Sequence, residues 1–177
     1  DRLIIPGVGA FKVAMGVMVE LDFVSSIKKF AAEGKPVMGI CLGMQILFDK
    51  SYEFGETSGL GLIAGVVDKI PQIGENGMPH KIPHIGWNEL HLLKDSDPLF
   101  KGVVDLPAVY FVHSFMAIPK NKSDLVAYSL YNDIQVTAVV RNNNVVGCQF
   151  HPERSSELGS KIIKNFLELD SKEIITS

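Results

Sequence analysis

Cysteine is scarce: Cys41 and Cys148 are the only two in 177 residues, too few for a disulfide framework. They read as free thiols of a reducing compartment. Tryptophan occurs once, at position 87. Blocks of like charge are missing as well. Seventeen Lys and Arg against twenty Asp and Glu leave a net charge of −3, without the basic stripe of a nucleic-acid binder. The longest apolar stretch, residues 37–48, is interrupted by Gly39, Gly43 and Gln45, and crossing a bilayer takes about 20 apolar residues. Phosphate-cradling and dinucleotide-binding glycine loops are absent too, because Pro6-Gly7-Val8-Gly9 is too short to be either. What is present, 46% apolar and 21% charged residues, is the balance of a chain that buries a core rather than staying disordered. A soluble, cytoplasmic, single-domain protein is expected.

The chain opens on Asp1-Arg2, without an initiator Met, and runs straight into Leu3-Ile4-Ile5. That run fits a buried strand of a parallel sheet or a short buried helical piece. Starting in mid-element, it suggests an N-terminally truncated chain that lacks a first βα unit. Phe11, Met15, Met18, Leu21, Ile27 and Phe30 recur mostly at spacings of three and four, so helix is predicted over 11–30, broken near Asp22. Residues 36–40 read as a buried strand, 42–50 as a helix and 51–65 as a long loop. Strand-sized pieces follow at 66–70, 84–93, 108–112, 125–129, 136–140 and 145–150, with a tight turn at Asn142-Asn143-Asn144. Ser156 is placed to cap a last helix whose Leu158, Ile162, Phe166 and Leu169 form one stripe. Together these predict one α/β domain over 1–170, mostly parallel with an antiparallel insertion, and a tail over 171–177.

Two short motifs could carry chemistry. In Gly39-Ile40-Cys41-Leu42-Gly43 a strand feeds a helix through one residue flanked by glycines at minus two and plus two. This is a nucleophile elbow with Cys in place of Ser. The sharp turn pushes the central side chain out of the sheet, and the bulk-free neighbours let helix and strand approach. A sulfur at a helix N-terminus is favoured as thiolate, and the Leu42 N–H points to where an oxyanion would form. A buried structural cysteine on a glycine-rich turn fits the same residues. In His151-Pro152-Glu153, proline biases His151 toward extended backbone, so imidazole and carboxylate can fall on one side. Alone, that tripeptide fits a surface turn better. Strand alternation puts Gly147, Gln149 and His151 on one face and Cys148 on the other, so Cys148 reads as core. Both motifs end predicted strands at their carboxyl side, where open α/β sheets place sites. Cys nucleophile, His base and Glu orienter make a complete acyl-transfer set.

Gly39-Ile-Cys41-Leu-Gly43-Met-Gln45 and His151-Pro-Glu153 resemble the class I (triad) glutamine amidotransferases. Pro6-Gly-Val-Gly-Ala-Phe11, Ile85-Gly-Trp-Asn88, Tyr110-Phe-Val-His-Ser114 and His151-Pro-Glu-Arg-Ser155 narrow the resemblance to the glutaminase subunits of imidazole glycerol phosphate synthase. The resemblance implies a flavodoxin-like fold, with the first βα unit missing. It implies that Cys41 attacks the side-chain amide of glutamine, that His151 protonates the departing ammonia, and that Glu153 orients His151. Leu42 with Val8 or Gly9 would form the oxyanion hole, and the Gly7-Val8-Gly9 loop could turn an amide in or out. Gly7, Gly9, Gln45 and Glu53, with backbone of His113, Ser114 and Phe115, would hold the substrate. Trp87, Asn88, Tyr110 and Arg154 would face a (β/α)₈-barrel cyclase subunit, bound or fused, which uses the ammonia. From sequence alone a single Trp is more often core than interface. No metal or cofactor is expected: His80 and His84 are four apart, but Ile82-Pro83 between them forbids a regular helix, and no acidic or Cys partner for them or His91 sits at ligand spacing. Rival readings are the glutaminase of anthranilate, aminodeoxychorismate or GMP synthesis, a Cys–His hydrolase of the same fold, and a non-catalytic binding subunit.

Overall fold

The computed structural model describes residues 1–75, 77–104 and 108–169, so the predicted tail lies outside the described residues. Strand β1 (Leu3–Ile5) leads to helices α1 (Phe11–Glu20) and α2 (Phe23–Ala32). They are separated at Asp22, which sits in the left-handed region (φ 54°), where the sequence spacing changes. Strand β2 (Val37–Ile40), buried at every position, runs into the single turn α3 (Leu42–Gln45). Then come β3 (Phe48–Ser51), β4 (Thr57–Ser58), β5 (Ile63–Lys69), β6 (His84–Asn88), β7 (His91–Leu92), β8 (Val109–His113) and β9 (Phe115–Pro119). Strands β10 (Leu125–Tyr131), β11 (Ile134–Asn142) and β12 (Val145–Cys148) precede the last helix, α4 (Ser156–Glu168).

Six strands form the main sheet in the order β1-β2-β12-β11-β10-β7. Parallel pairing there is confined to β1–β2 and β2–β12, while β12–β11, β11–β10 and β10–β7 are antiparallel. The sheet is therefore mixed, more antiparallel than predicted. The reason is loop length: Asn132-Asp133 and Asn143-Asn144 leave only two residues between strands, which closes a hairpin, whereas parallel neighbours need a long crossover. A four-stranded sheet, β4-β3-β5-β9, and the pair β6–β8 form the insertion.

Side-chain alternation sends β2 and β12 into two cores. Met38, Ile40, Val146 and Cys148 pack with Leu158, Ile162 and Phe166 of α4. Val37 and Val145 pack on the other face with Phe11, Met15, Ile27 and Leu42. Each fully buried side chain of this size contributes about 1.5–3 kcal/mol. Helices thus cover both faces, and the catalytic-looking motifs emerge where β2 and β12 end side by side.

Two local predictions need correction. The helix expected over 42–50 stops after Gln45. Ile46, Leu47 and Phe48 are fully buried, and their carbonyls accept from the backbone N–H groups of Leu60, Leu62 and Gly61 respectively, so tertiary pairing takes over from helix. This also makes most of β3 from residues predicted as helix, and brings β4 and the start of β5 into the segment predicted as a loop. The last helix begins one residue earlier than predicted, its N-cap being Ser155 rather than Ser156. The Ser155 hydroxyl is committed elsewhere, accepting from Tyr110 N–H at 3.0 Å and donating to His151 O at 2.6 Å.

Candidate active site

Cys41 carries the strain that the elbow requires, φ 54° and ψ −111°, on a residue that is not glycine. Its neighbours explain why the bend closes. A Cβ at Gly39 would lie 2.4 Å from Gly43 O, and one at Gly43 would lie 1.7 Å from Ile5 O. Cys41 N–H donates to Cys148 O at 2.8 Å, which ties the bend to the end of β12.

His151 lies three residues beyond that carbonyl. Its own N–H donates to Tyr110 O at 2.9 Å, and its carbonyl is held by Ser155, so the residue is pinned between β8 and α4. Nδ1 meets Glu153 Oε1 at 2.7 Å, while Nε2 is buried with no hydrogen-bond partner among the described residues. A carboxylate-held ring whose far nitrogen is free is the arrangement of an oriented general base.

The sulfur is a thiol at rest. Burial pushes Cys41 up to about 11; the Leu42 N–H opposes this, the Glu153 charge adds to it, and the Gln149 amide opposes it. The helix N-terminus expected to favour the thiolate is short, α3 being only four residues long, and desolvation is the largest influence on the thiol. The thiol needs a base to take its proton as it attacks.

Around the sulfur runs a buried polar chain. Gln149 Nε2 lies 3.8 Å from Cys41 Sγ, and Gln149 Oε1 accepts from Gln45 Nε2 at 3.0 Å. Gln45 Nε2 also donates to Phe115 O at 3.0 Å, and His113 Nδ1 meets the same carbonyl at 2.8 Å. Burial holds His113 down to about 3, so its ring is neutral. Sequence reading put Gln149 on the right face without giving it a role; the signal was a lone amide inside the apolar run 145–150. His84 was weighed there only as a metal ligand, and Ser155 appeared only as the end of a motif.

The remaining predicted residues fall in three places. Gly7 O accepts from Leu42 N–H at 3.3 Å, and Val8 is exposed. Glu53 is buried, with Oε2 accepting from Phe11 N at 2.7 Å, so its carboxylate caps α1 as well as lying on the loop where substrate contact was expected. The next residue, Phe54, meets Phe115 edge-on at 6.5 Å. Trp87 packs on Tyr110 at 5.8 Å, and the Arg154 guanidinium sits over Tyr110 at 4.5 Å. Trp87 is 52% exposed, which overturns the core reading. Asn88 turns inward, its Nδ2 donating to Leu130 O and its Oδ1 facing His84 Nε2. His80 faces Pro71 O, His84 faces His113, and His91 stacks on Tyr128, so the three do not converge. No helix among the described residues is long and apolar enough to cross a membrane.

The family described as glutamine amidotransferase class-I matches residues 1–169, and this chain belongs to it. Solved structures agree on the fold. A glutamine amidotransferase crystal structure superposes with TM-score 0.65 at 19% identity, covering 94% of this chain and 77% of that one. PurLQS from Thermotoga maritima gives 0.66 at 22%, covering 93% and 78%. Within the class, the chain groups with the HisH subunits of imidazole glycerol phosphate synthase. It is 49% identical over 173 residues to subunit HisH 1 of Legionella pneumophila (strain Lens), covering 96% of this chain and 81% of the relative. It is also 49% identical over 168 residues to HisH of Lactococcus lactis subsp. lactis (strain IL1403), covering 95% and 79%.

Proposed function

We propose that this chain is the glutaminase subunit of an imidazole glycerol phosphate synthase. It hydrolyses glutamine to glutamate and ammonia, and supplies the ammonia to a cyclase subunit that makes imidazole glycerol phosphate and AICAR in histidine biosynthesis. One observation carries the mechanism: the His151 ring is held by Glu153 at 2.7 Å and leaves Nε2 buried and unpartnered among the described residues. Cys41 Sγ attacks the side-chain carbonyl carbon of glutamine while its proton passes to His151 Nε2. Collapse of the tetrahedral adduct breaks the C–N bond, and His151 returns the proton to the leaving ammonia. Water then attacks the thioester, with His151 again taking the proton, and glutamate leaves with the thiol restored.

Leu42 N–H, with Val8 or Gly9 N–H, stabilises the oxyanion. Because Leu42 N–H is engaged by Gly7 O, the Gly7-Val8-Gly9 loop must turn before the hole is complete. We assign that turn to binding of the cyclase. Gln45 and Glu53 bound the substrate pocket, the latter through the α-ammonium, with backbone of His113, Ser114 and Phe115. The exposed Trp87 and the Tyr110–Arg154 stack are suited to a protein interface, where aromatic residues and Arg are enriched. The domain spans 1–170, with 171–177 as its tail.

The test is glutamate release from free glutamine by the chain alone, with a cyclase subunit, and with that subunit plus its ligand. Turnover that rises with each addition is expected. Hydrolysis of peptides or esters in preference to glutamine would overturn the reading.

A further inference from the structure

Strands β6 and β8 place two imidazoles edge-on to each other inside the protein, with ring planes 62° apart. His84 Nδ1 and His113 Nε2 are 3.0 Å apart, and both residues are buried. His84 lies stacked between Phe111 at 4.8 Å and Tyr131 at 4.1 Å, so its ring plane is fixed. The chain of contacts is continuous: Leu130 O, Asn88 amide, His84, His113, Phe115 O. Both ends are carbonyls, which only accept.

That constraint makes the protons countable. Two neutral rings carry one N–H each, yet three links involve them: Phe115 O with His113, His113 with His84, and His84 with Asn88. One link must go without a donor from the rings. If it were the Phe115 link, a ring lone pair would face a carbonyl at 2.8 Å in the interior. If it were the middle link, two lone pairs would meet between buried rings. At the outer link the Asn88 amide can instead rotate and donate to His84 Nε2. The rotation turns Asn88 Oδ1 toward Leu130 O at an exposed position, where water can reach both oxygens, the least costly of the three arrangements. Both rings therefore carry their proton on Nδ1.

We propose that His84 is a positioning residue for the glutamine site: its Nδ1–H holds His113 in the Nδ1–H tautomer, and His113 in turn holds the Phe115 carbonyl. That carbonyl also receives Gln45 Nε2, which engages Gln149 beside the Cys41 sulfur. Without the His84 donor, His113 Nε2 is a buried, unpaired acceptor. The ring then gains by moving its proton to Nε2, which releases Phe115 O and loosens the Ser114–Phe115 strip. The effect on catalysis rests on the function proposed above; the tautomer assignment does not.

The experiment joins imidazole ¹⁵N spectroscopy to glutamine kinetics in the presence of the cyclase. The wild-type protein is expected to show Nδ1–H on both His84 and His113. His84→Phe keeps the stacking and removes the donor, so an Nε2–H population should appear on His113. KM for glutamine should rise roughly tenfold, with a smaller fall in kcat. His84→Asn carries an amide donor near the Nδ1 position and should restore both readouts.

Nε2–H on His113 in the wild type overturns the proposal even if the Phe variant does not fold. So does a Phe variant with unchanged tautomer and KM, or an Asn variant as impaired as Phe. If glutamine is not a substrate at all while the tautomers behave as described, the function falls and the positioning stands.

Discussion

Leu42 N–H donates to Gly7 O across 3.3 Å, so the loop after β1 engages the N–H that we propose binds the oxyanion. The same loop carries Gly9 at φ +104°, a conformation disfavoured for any residue with a Cβ. Nothing lies within 4 Å of a Cβ built there, so alanine would act on backbone preference alone. Gly9→Ala is expected to destabilise this closed arrangement by about 1 kcal/mol and to raise cyclase-free glutamine hydrolysis roughly fivefold. Unchanged or lower basal turnover would contradict the closed reading.

Cys41 titrates near 11 instead of its ordinary value near 9, chiefly because it is buried. Alkylation of Cys41 by iodoacetamide should therefore be slow at neutral pH and rise about tenfold per pH unit to beyond pH 10. A plateau near pH 8 would mean a more acidic thiol. The sign for stability follows: the folded state holds the proton more tightly than the unfolded one. The contribution is full below pH 9 and is lost as pH rises toward 11.

Alanine at two glycines should act in opposite directions. At Gly43 the new Cβ meets Ile5 O at 1.7 Å, which must displace β1 from the elbow. Gly43→Ala is expected to lower kcat/KM at least ~100-fold and to destabilise by about 1–3 kcal/mol or more. Gly16, inside α1 with nothing within 4 Å of an added Cβ, should gain up to ~1 kcal/mol on mutation to Ala. Chemical denaturation of both variants checks the pair.

Arg141 and Asp97 form a fully buried two-point ion pair, Nε to Oδ2 at 2.6 Å and Nη2 to Oδ1 at 2.7 Å. Asp97 also accepts from Leu99 N–H at 2.9 Å. Arg141→Met strands a buried carboxylate and should lose about 3–5 kcal/mol in denaturant unfolding, with far less effect on kcat/KM. A loss under 1 kcal/mol would mean that water reaches the pair.

The elbow and the His-Pro-Glu turn were legible because their chemistry is local: glycines two residues either side of Cys41, and His151 and Glu153 two apart across a proline. The break at Asp22 was legible from a change in spacing. The early end of α3 was not, because Ile46-Leu47-Phe48 is equally apolar as helix or strand, and the N–H groups that take up its carbonyls come from residues 60–62. The protonation state of Cys41 was also hidden, since it depends on burial by distant strands. Gln149 meets Gln45 across 104 positions and His113 meets His84 across 29, so no periodicity links either pair. For Trp87, composition alone favoured the core and only the family resemblance pointed outward; β6 turns its ring toward Tyr110 and solvent.

The division of labour between Cys41 and the partner is tested most directly by the Cys41→Ala chain assembled with the cyclase and assayed with glutamine and with ammonium salt. Glutamine-dependent product formation should disappear while the ammonia-dependent rate stays at the wild-type level. Retained glutamine dependence, or loss of both activities in an intact complex, would contradict the account.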